Sequence, residues 1–194
     1  CAVIEAFYED VEEPVIIDKG RGWPIPTILS AMTQVLGEKP KIIATVRSIP
    51  DCMASFVRVA KPDDLDEFIY SGILSTHLKA SYMAIQSGYE FAPECFCLVE
   101  YDDLIADPKS QLDRIHAFLE LPDFEYDFTA IDGSRVQEDD EELHGYEGMH
   151  DIQPVLAKQH NEDPKDVLKQ HYATFCQPEF WLDKPRTTPE LHDL

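Results

Sequence analysis

The stretch KIIATVRSIPDCMASF, residues 41–56, joins a short apolar strand to a turn and then to a helix. Ile42, Ile43, Ala44, Thr45 and Val46 are uncharged and mostly β-branched, which is how a buried parallel strand reads. Arg47 ends the run. Ser48 is placed to cap the following helix and Pro50 falls in its first turn, so the next amides present free N–H groups and a positive dipole end at the strand's carboxyl edge. Open α/β sheets bind their ligands there. Ser55 lies about one and a half turns into the helix, so the Arg47 guanidinium and the Ser55 hydroxyl can converge on one phosphate. The competing reading pairs Arg47 with Asp51 or another surface acid.

The flanking sequence extends this unit in both directions. On the N-terminal side, Val3, Ile4, Phe7, Tyr8 and Val11 recur at helical spacing and predict a helix over 1–11. Val15, Ile16 and Ile17 read as a further buried strand running into DKGRGWP, a polar glycine-bearing loop. Ile25 to Leu36 reads as a helix stopped by Gly37. Strand, helix and strand at this spacing predict a right-handed βαβ unit whose DKGRGW and RSIPD loops open on one side of the sheet.

On the C-terminal side, KPDDLDE is a hydrophilic break, and Leu65 to Gly88 is helical in two pieces around Gly72, with His77 a partly buried structural residue. Cys95 to Glu100 reads as a third strand. Asp107 as cap and Pro108 as first residue start a helix through Glu120, on which His116 is read as structural. Glu138 to Glu142 is an unbroken carboxylate run and reads as a solvated face rather than a metal site. His144 and His150 follow in a glycine-bearing loop whose spacing specifies no ligand geometry. A last helix is expected from Asp163 and Pro164 to about Phe175, and 176–194 as an extended tail.

Composition bounds the function classes. The 194 residues, 44% hydrophobic, suit one domain with a single core. A net charge of −22 argues against nonspecific binding to nucleic acid or anionic membrane. Cys1, Cys52, Cys95, Cys97 and Cys176 are odd in number and lack zinc-type pairing, so reduced thiols and a cytoplasmic location are expected. No apolar run approaches the ~20 residues of a membrane span, and CAVIEAFYED lacks the basic start of a signal peptide. The absence of an initiating Met suggests numbering that begins inside a longer protein.

Three stretches at predicted strand ends resemble, in the same order, the sulfotransferases that use 3′-phosphoadenylyl sulfate (PAPS). In the central one an apolar strand ends in Arg, followed by Pro, Asp and a Ser eight residues after the Arg; here these are Arg47, Pro50, Asp51 and Ser55. The upstream one carries a Lys that lines the sulfuryl-transfer site in the family, matched by Lys19. The downstream one has Tyr, an acid, Asp and an apolar residue, then Asp-Pro; here these are Tyr101, Asp102, Asp103, Leu104, Asp107 and Pro108. The resemblance runs from about Val11 to Pro122.

It implies a P-loop-like α/β fold, a parallel sheet flanked by helices, with 1–194 as one sulfotransferase-like domain. By resemblance, Arg47 and Ser55 hold the 3′-phosphate and Tyr101 touches the adenine. PAPS is then the co-substrate and adenosine 3′,5′-bisphosphate (PAP) the product. Arg21 stands where many cytosolic members carry a catalytic His. Because a guanidinium is a poor base, Asp18 is the candidate base, with Lys19 and Arg21 stabilising the transferring sulfuryl group.

The family's glycine- and serine-bearing phosphosulfate loop is not found before Cys1 or later. Either further residues precede the sequence, or the chain is a fragment with an incomplete cofactor site. Two alternatives follow: a non-catalytic acidic interaction module, and a P-loop nucleotide kinase. The expected acceptor-facing parts offer aromatic rings, carboxylates and imidazoles, which favours a neutral glycan or small metabolite, or a peptide, over a polyanion. Oligomeric state is not legible.

Overall fold

A computed structural model describes residues 9, 11–12, 15–129, 131, 155–156 and 162–182. The body of the helix expected at 1–11, the acidic run at 138–142, the His144 and His150 loop and the tail beyond 182 lie outside them. The chain divides into two compact units, residues 1–44 with 80–97 and residues 45–79 with 98–194.

In the first unit, residues 15–20 have no regular structure, and Val15, Ile16 and Ile17 are 42%, 46% and 79% exposed. This corrects the expected buried strand and, with it, the βαβ unit drawn through it. An apolar run becomes a strand only when a neighbour takes its backbone hydrogen bonds, and among the described residues the sheet consists of two later strands.

A turn at 21–24 follows, in which Ile25 N donates to Gly22 O at 3.1 Å. Helix α1, Pro26–Leu36, starts with proline and ends at Gly37, whose φ of 75° only glycine adopts cheaply. Leu29 is its buried anchor, 2% exposed.

Gly88, on the helix spanning Ile73–Phe91 (α4), marks the closest approach in this unit. A Cβ there would lie 2.0 Å from Pro24 O and 2.9 Å from Phe96 Cζ. Because the obstacle is backbone, Gly88→Ala is expected to destabilise by about 1–3 kcal/mol, read as a lower urea midpoint.

Strands β1, Ile42–Val46, and β2, Phe96–Glu100, form a two-stranded parallel sheet in a helix-flanked α/β arrangement. Along β1, Ala44 and Val46 are buried while Ile43 and Thr45 are exposed, so one face is covered, not both as the uncharged run implied. A single 3₁₀ turn, Pro93–Cys95, precedes β2. It takes Cys95 out of the strand expected from Cys95 to Glu100, though the Cys95 and Cys97 thiols are both buried.

The second unit is built on helices whose starts follow from local chemistry. Helix α2, Ile49–Ala60, is capped by Ser48, whose hydroxyl accepts from Asp51 N at 3.3 Å. Helix α3, Leu65–Ser71, is capped by Asp64, and Gly72 at φ 50° separates it from α4. Beyond β2 come α5, Tyr101–Ala106, and α6, Pro108–Leu119, the latter capped by Asp107 accepting from Ser110 N at 3.1 Å.

The last expected helix is broken. It forms α7, Pro164–Leu168, a 3₁₀ turn at Lys169–His171, and α8, Tyr172–Phe175, with Lys169 in the left-handed region at φ 51°. Both α7 and α8 pack on α2. Met53, Ala54 and Leu168 are fully buried, and Val99 and Phe175 are 1% exposed. His171 is buried as well, its Nε2 2.5 Å from Asp66 Oδ1, so an imidazole–carboxylate contact ties this segment to α3.

His77 departs from its reading as partly buried; its side chain is exposed. Among the described residues, no helix is long and apolar enough to cross a membrane.

Candidate active site

The residues singled out from sequence fall in both units. Asp18, Lys19 and Arg21 belong to the first, where all three are exposed in the irregular stretch leading into the turn at 21–24. Trp23 closes that loop on itself: its indole packs so tightly over Gly20 that a Cβ there would lie 2.6 Å from Nε1.

Arg47, Ser55 and Tyr101 belong to the second unit. Arg47 follows β1 and Tyr101 follows β2, so the two strand ends deliver a guanidinium and a phenol ring to one place. The Arg47 guanidinium carbon lies 4.3 Å from the Tyr101 ring centroid, a cation–π contact that holds the charged plane against an aromatic face. Ser55 is half-buried on α2, one helical turn beyond Asp51.

The electrostatics of Arg47 decide what it can do. Its Nη2 lies 3.9 Å from Asp51 Oδ1, the outer edge of an ion pair. Asp51 is meanwhile engaged by Ser48, whose hydroxyl donates to its carboxylate. Arg47 Nε is buried and meets no acceptor among the described residues. A buried N–H without a partner is costly, so Arg47 is not a saturated surface ion pair. The competing surface-pair reading is thus partly realised, and it leaves a donor over.

Beside it the α2 amides begin, with Ile49 and Pro50 buried and Cys52 a helical turn on. Burial pushes the Cys52 thiol up to about 11, with Arg47 opposing and Asp51 reinforcing the shift. A neutral thiol there is not a nucleophile.

Sequence reading missed Glu179. It lies on the segment after α8 and its carboxyl is pushed up by burial first, then by Glu100, Asp51 and Asp102. Those acids flank Arg47 and Tyr101 in sequence, so the C-terminal segment adds a carboxyl to the same electrostatic field. Only tertiary packing creates that field, and nothing in QPEFWLD signals it.

A carboxyl held above its ordinary value of 4.5 binds its proton more tightly in the folded than in the unfolded chain. Folding is therefore penalised as pH rises above that value, and the penalty vanishes below it, where both states are protonated. Glu179→Gln is expected to raise the melting temperature at neutral pH and leave it unchanged in acid, checked by thermal melts across pH.

Cys52, Cys95, Cys97 and Cys176 form no disulfide among the described residues. Among the same residues there is no cluster of three or more His, Cys, Asp or Glu suited to a metal ion.

A parallel strand ending in arginine, a capped helix behind it and an aromatic ring from the next strand stand at the strand carboxyl ends, the edge at which open α/β sheets bind ligands and helix N-termini favour anions. A model of the sulfotransferase family matches residues 29–126, just over half of the chain, and the chain belongs to that family. The matched stretch contains Arg47, Ser55 and Tyr101 and begins after Asp18, Lys19 and Arg21. No curated protein and no solved structure gives a significant match to this chain. Family membership sets aside the nucleotide-kinase alternative.

Proposed function

We propose that this protein transfers a sulfuryl group from PAPS to a hydroxyl or amine acceptor. The observation that carries the reading is the buried, unpartnered Nε of Arg47 on a guanidinium stacked against Tyr101. PAPS, when bound, supplies the activated sulfuryl group and, through its 3′-phosphate, an anion with acceptor oxygens for such a donor. The residues present fit that demand: Arg47 offers charge and fixed N–H geometry, Ser55 a hydroxyl on the same helix–turn unit, and Tyr101 a ring face for the adenine.

In this reading Asp18 takes the acceptor's proton, and Lys19 and Arg21 neutralise charge that develops on the sulfuryl oxygens. Arg21 stays protonated throughout, so it acts by charge and not as a base. The roles of the DKGRGW residues rest on the family resemblance, since they precede the matched stretch. A neutral sugar, phenol or small alcohol is the favoured acceptor, because the chain's charge of −22 repels polyanions.

The test is incubation with labelled PAPS and a panel of acceptors. Label transferred to neutral sugars or phenols in preference to a heparin-like polymer supports both the activity and the charge argument. No transfer to any acceptor overturns the activity, and preferential sulfation of the polymer overturns the charge argument.

A further inference from the structure

Cations are scarce in this chain, 16 Lys and Arg against 38 Asp and Glu, so a guanidinium that lacks a carboxylate calls for a physical reason. Arg58, in the last turn of α2, is such a group. It is half-buried, has no ion pair or hydrogen bond among the described residues, and its Nη1 is buried without an acceptor. Arg47 Nε, before the start of the same helix, is in the same condition.

Helical geometry relates the two arginines. Asp51, Ser55 and Arg58 stand at i, i+4 and i+7 of α2, which puts them on one face beside the buried Met53 and Ala54. Arg47 precedes Asp51 by four residues, meets its carboxylate at 3.9 Å and heads the same row. Ser55 and Arg58 are about 4.5 Å apart along the helix axis. Helical side chains lean toward the N-terminus, which directs the long Arg58 stem back toward the turn that carries Ser55.

The negative end of the α2 dipole favours a cation at Arg58, which accounts for the charge but not for Nη1. A guanidinium that serves only the dipole keeps its N–H groups in water or on the last carbonyls. Nη1 is shut from water and meets no carbonyl. A charged donor buried in that state costs free energy, which a phosphate oxygen would recover.

We propose that Arg58 is a second arginine of the anion site and grips the 3′-phosphate from the Ser55 side. This rests on the reading of Arg47 and Ser55 as the residues that hold that phosphate, and it adds the charge the ligand demands. A phosphate monoester carries about −1.5 to −2 at neutral pH, whereas Arg47 supplies one positive charge and stands near Asp51. A nucleotide without the 3′-phosphate gains nothing from Arg58, so the second arginine acts on selectivity.

The whole chain is titrated by calorimetry with PAP and with adenosine 5′-monophosphate, as wild type, Arg58→Met and Arg58→Lys. Methionine keeps an apolar stem, and lysine keeps the charge without the planar fork. Arg58→Met is expected to weaken PAP binding about tenfold and binding of the monophosphate by less than about twofold, with Arg58→Lys between wild type and Arg58→Met for PAP. The melting temperature of Arg58→Met without ligand is expected to match or exceed that of wild type, because the buried N–H is gone.

Unchanged PAP affinity in Arg58→Met overturns the proposal, and so does equal weakening of both nucleotides, which would set Arg58 apart from the 3′-phosphate. A lower melting temperature with PAP affinity retained would make Arg58 a structural residue only. PAP binding that is lost in Arg47→Ala and kept in Arg58→Met removes Arg58 alone from the site. A wild type that binds no PAP removes the reading on which the proposal rests, and the proposal with it.

Discussion

Phe175→Ala is expected to cost about 3–5 kcal/mol of stability, the largest effect of any single truncation considered for this chain. The ring is 1% exposed at the end of α8, in the segment that packs on α2, and Lys79 places its ammonium 5.4 Å from the ring centroid. Truncation leaves a cavity in the core of the unit that also buries Met53 and Leu168, and a helix of four residues cannot close over it unaided. Chemical denaturation should show the midpoint falling with the slope unchanged. A loss below about 1 kcal/mol would mean that α7 and α8 are not part of the cooperative unit that carries the anion site.

Arg47→Ala is expected to weaken PAP binding by about tenfold to a hundredfold, the range for losing one hydrogen bond to a charged group. Turnover with PAPS should fall with it. The folded state should tolerate the change, because Arg47 contributes a loose ion pair and one ring contact and otherwise keeps a buried N–H without a partner. A melting temperature close to wild type, measured beside the affinity, separates lost recognition from lost structure. If affinity is unchanged, the 3′-phosphate is not held here.

The features that the sequence announced are those set by neighbours in the chain. Ser48 with Pro50 and Asp107 with Pro108 start helices because a side-chain oxygen and a fixed proline φ act within one turn, and both starts are found where expected. Gly37 and Gly72 end or divide helices through left-handed φ, again a local property.

What depends on distant partners was not legible. Val15 to Ile17 has strand composition but no strand beside it among the described residues, and the one-sided burial of β1 reflects what covers the sheet and not the run itself. YDDLIA was read only as the stretch that follows a strand ending at Glu100, yet Asp102 and Asp103 in its first turn complement a helix dipole, a signal present in the sequence and passed over. The break at Lys169 has no glycine or proline to mark it.

The same division runs through the site. Arg47 and Tyr101 were each legible as strand-end residues because the residue types at those positions match the family's pattern. Their contact at 4.3 Å was not, since it requires the two strand ends to lie side by side. Glu179 was invisible for the same reason: its carboxyl responds to Glu100, Asp51 and Asp102, brought near by folding and not by sequence.

Recognition of a 3′-phosphate by Arg47 is reached directly by one calorimetric comparison. The chain is titrated with PAP and with adenosine 5′-monophosphate, which lacks only the 3′-phosphate. Saturable binding of PAP, about tenfold or more tighter than the monophosphate, with the difference lost in Arg47→Ala, is the expected result. Equal affinities for the two nucleotides, or no binding of PAP, would contradict it.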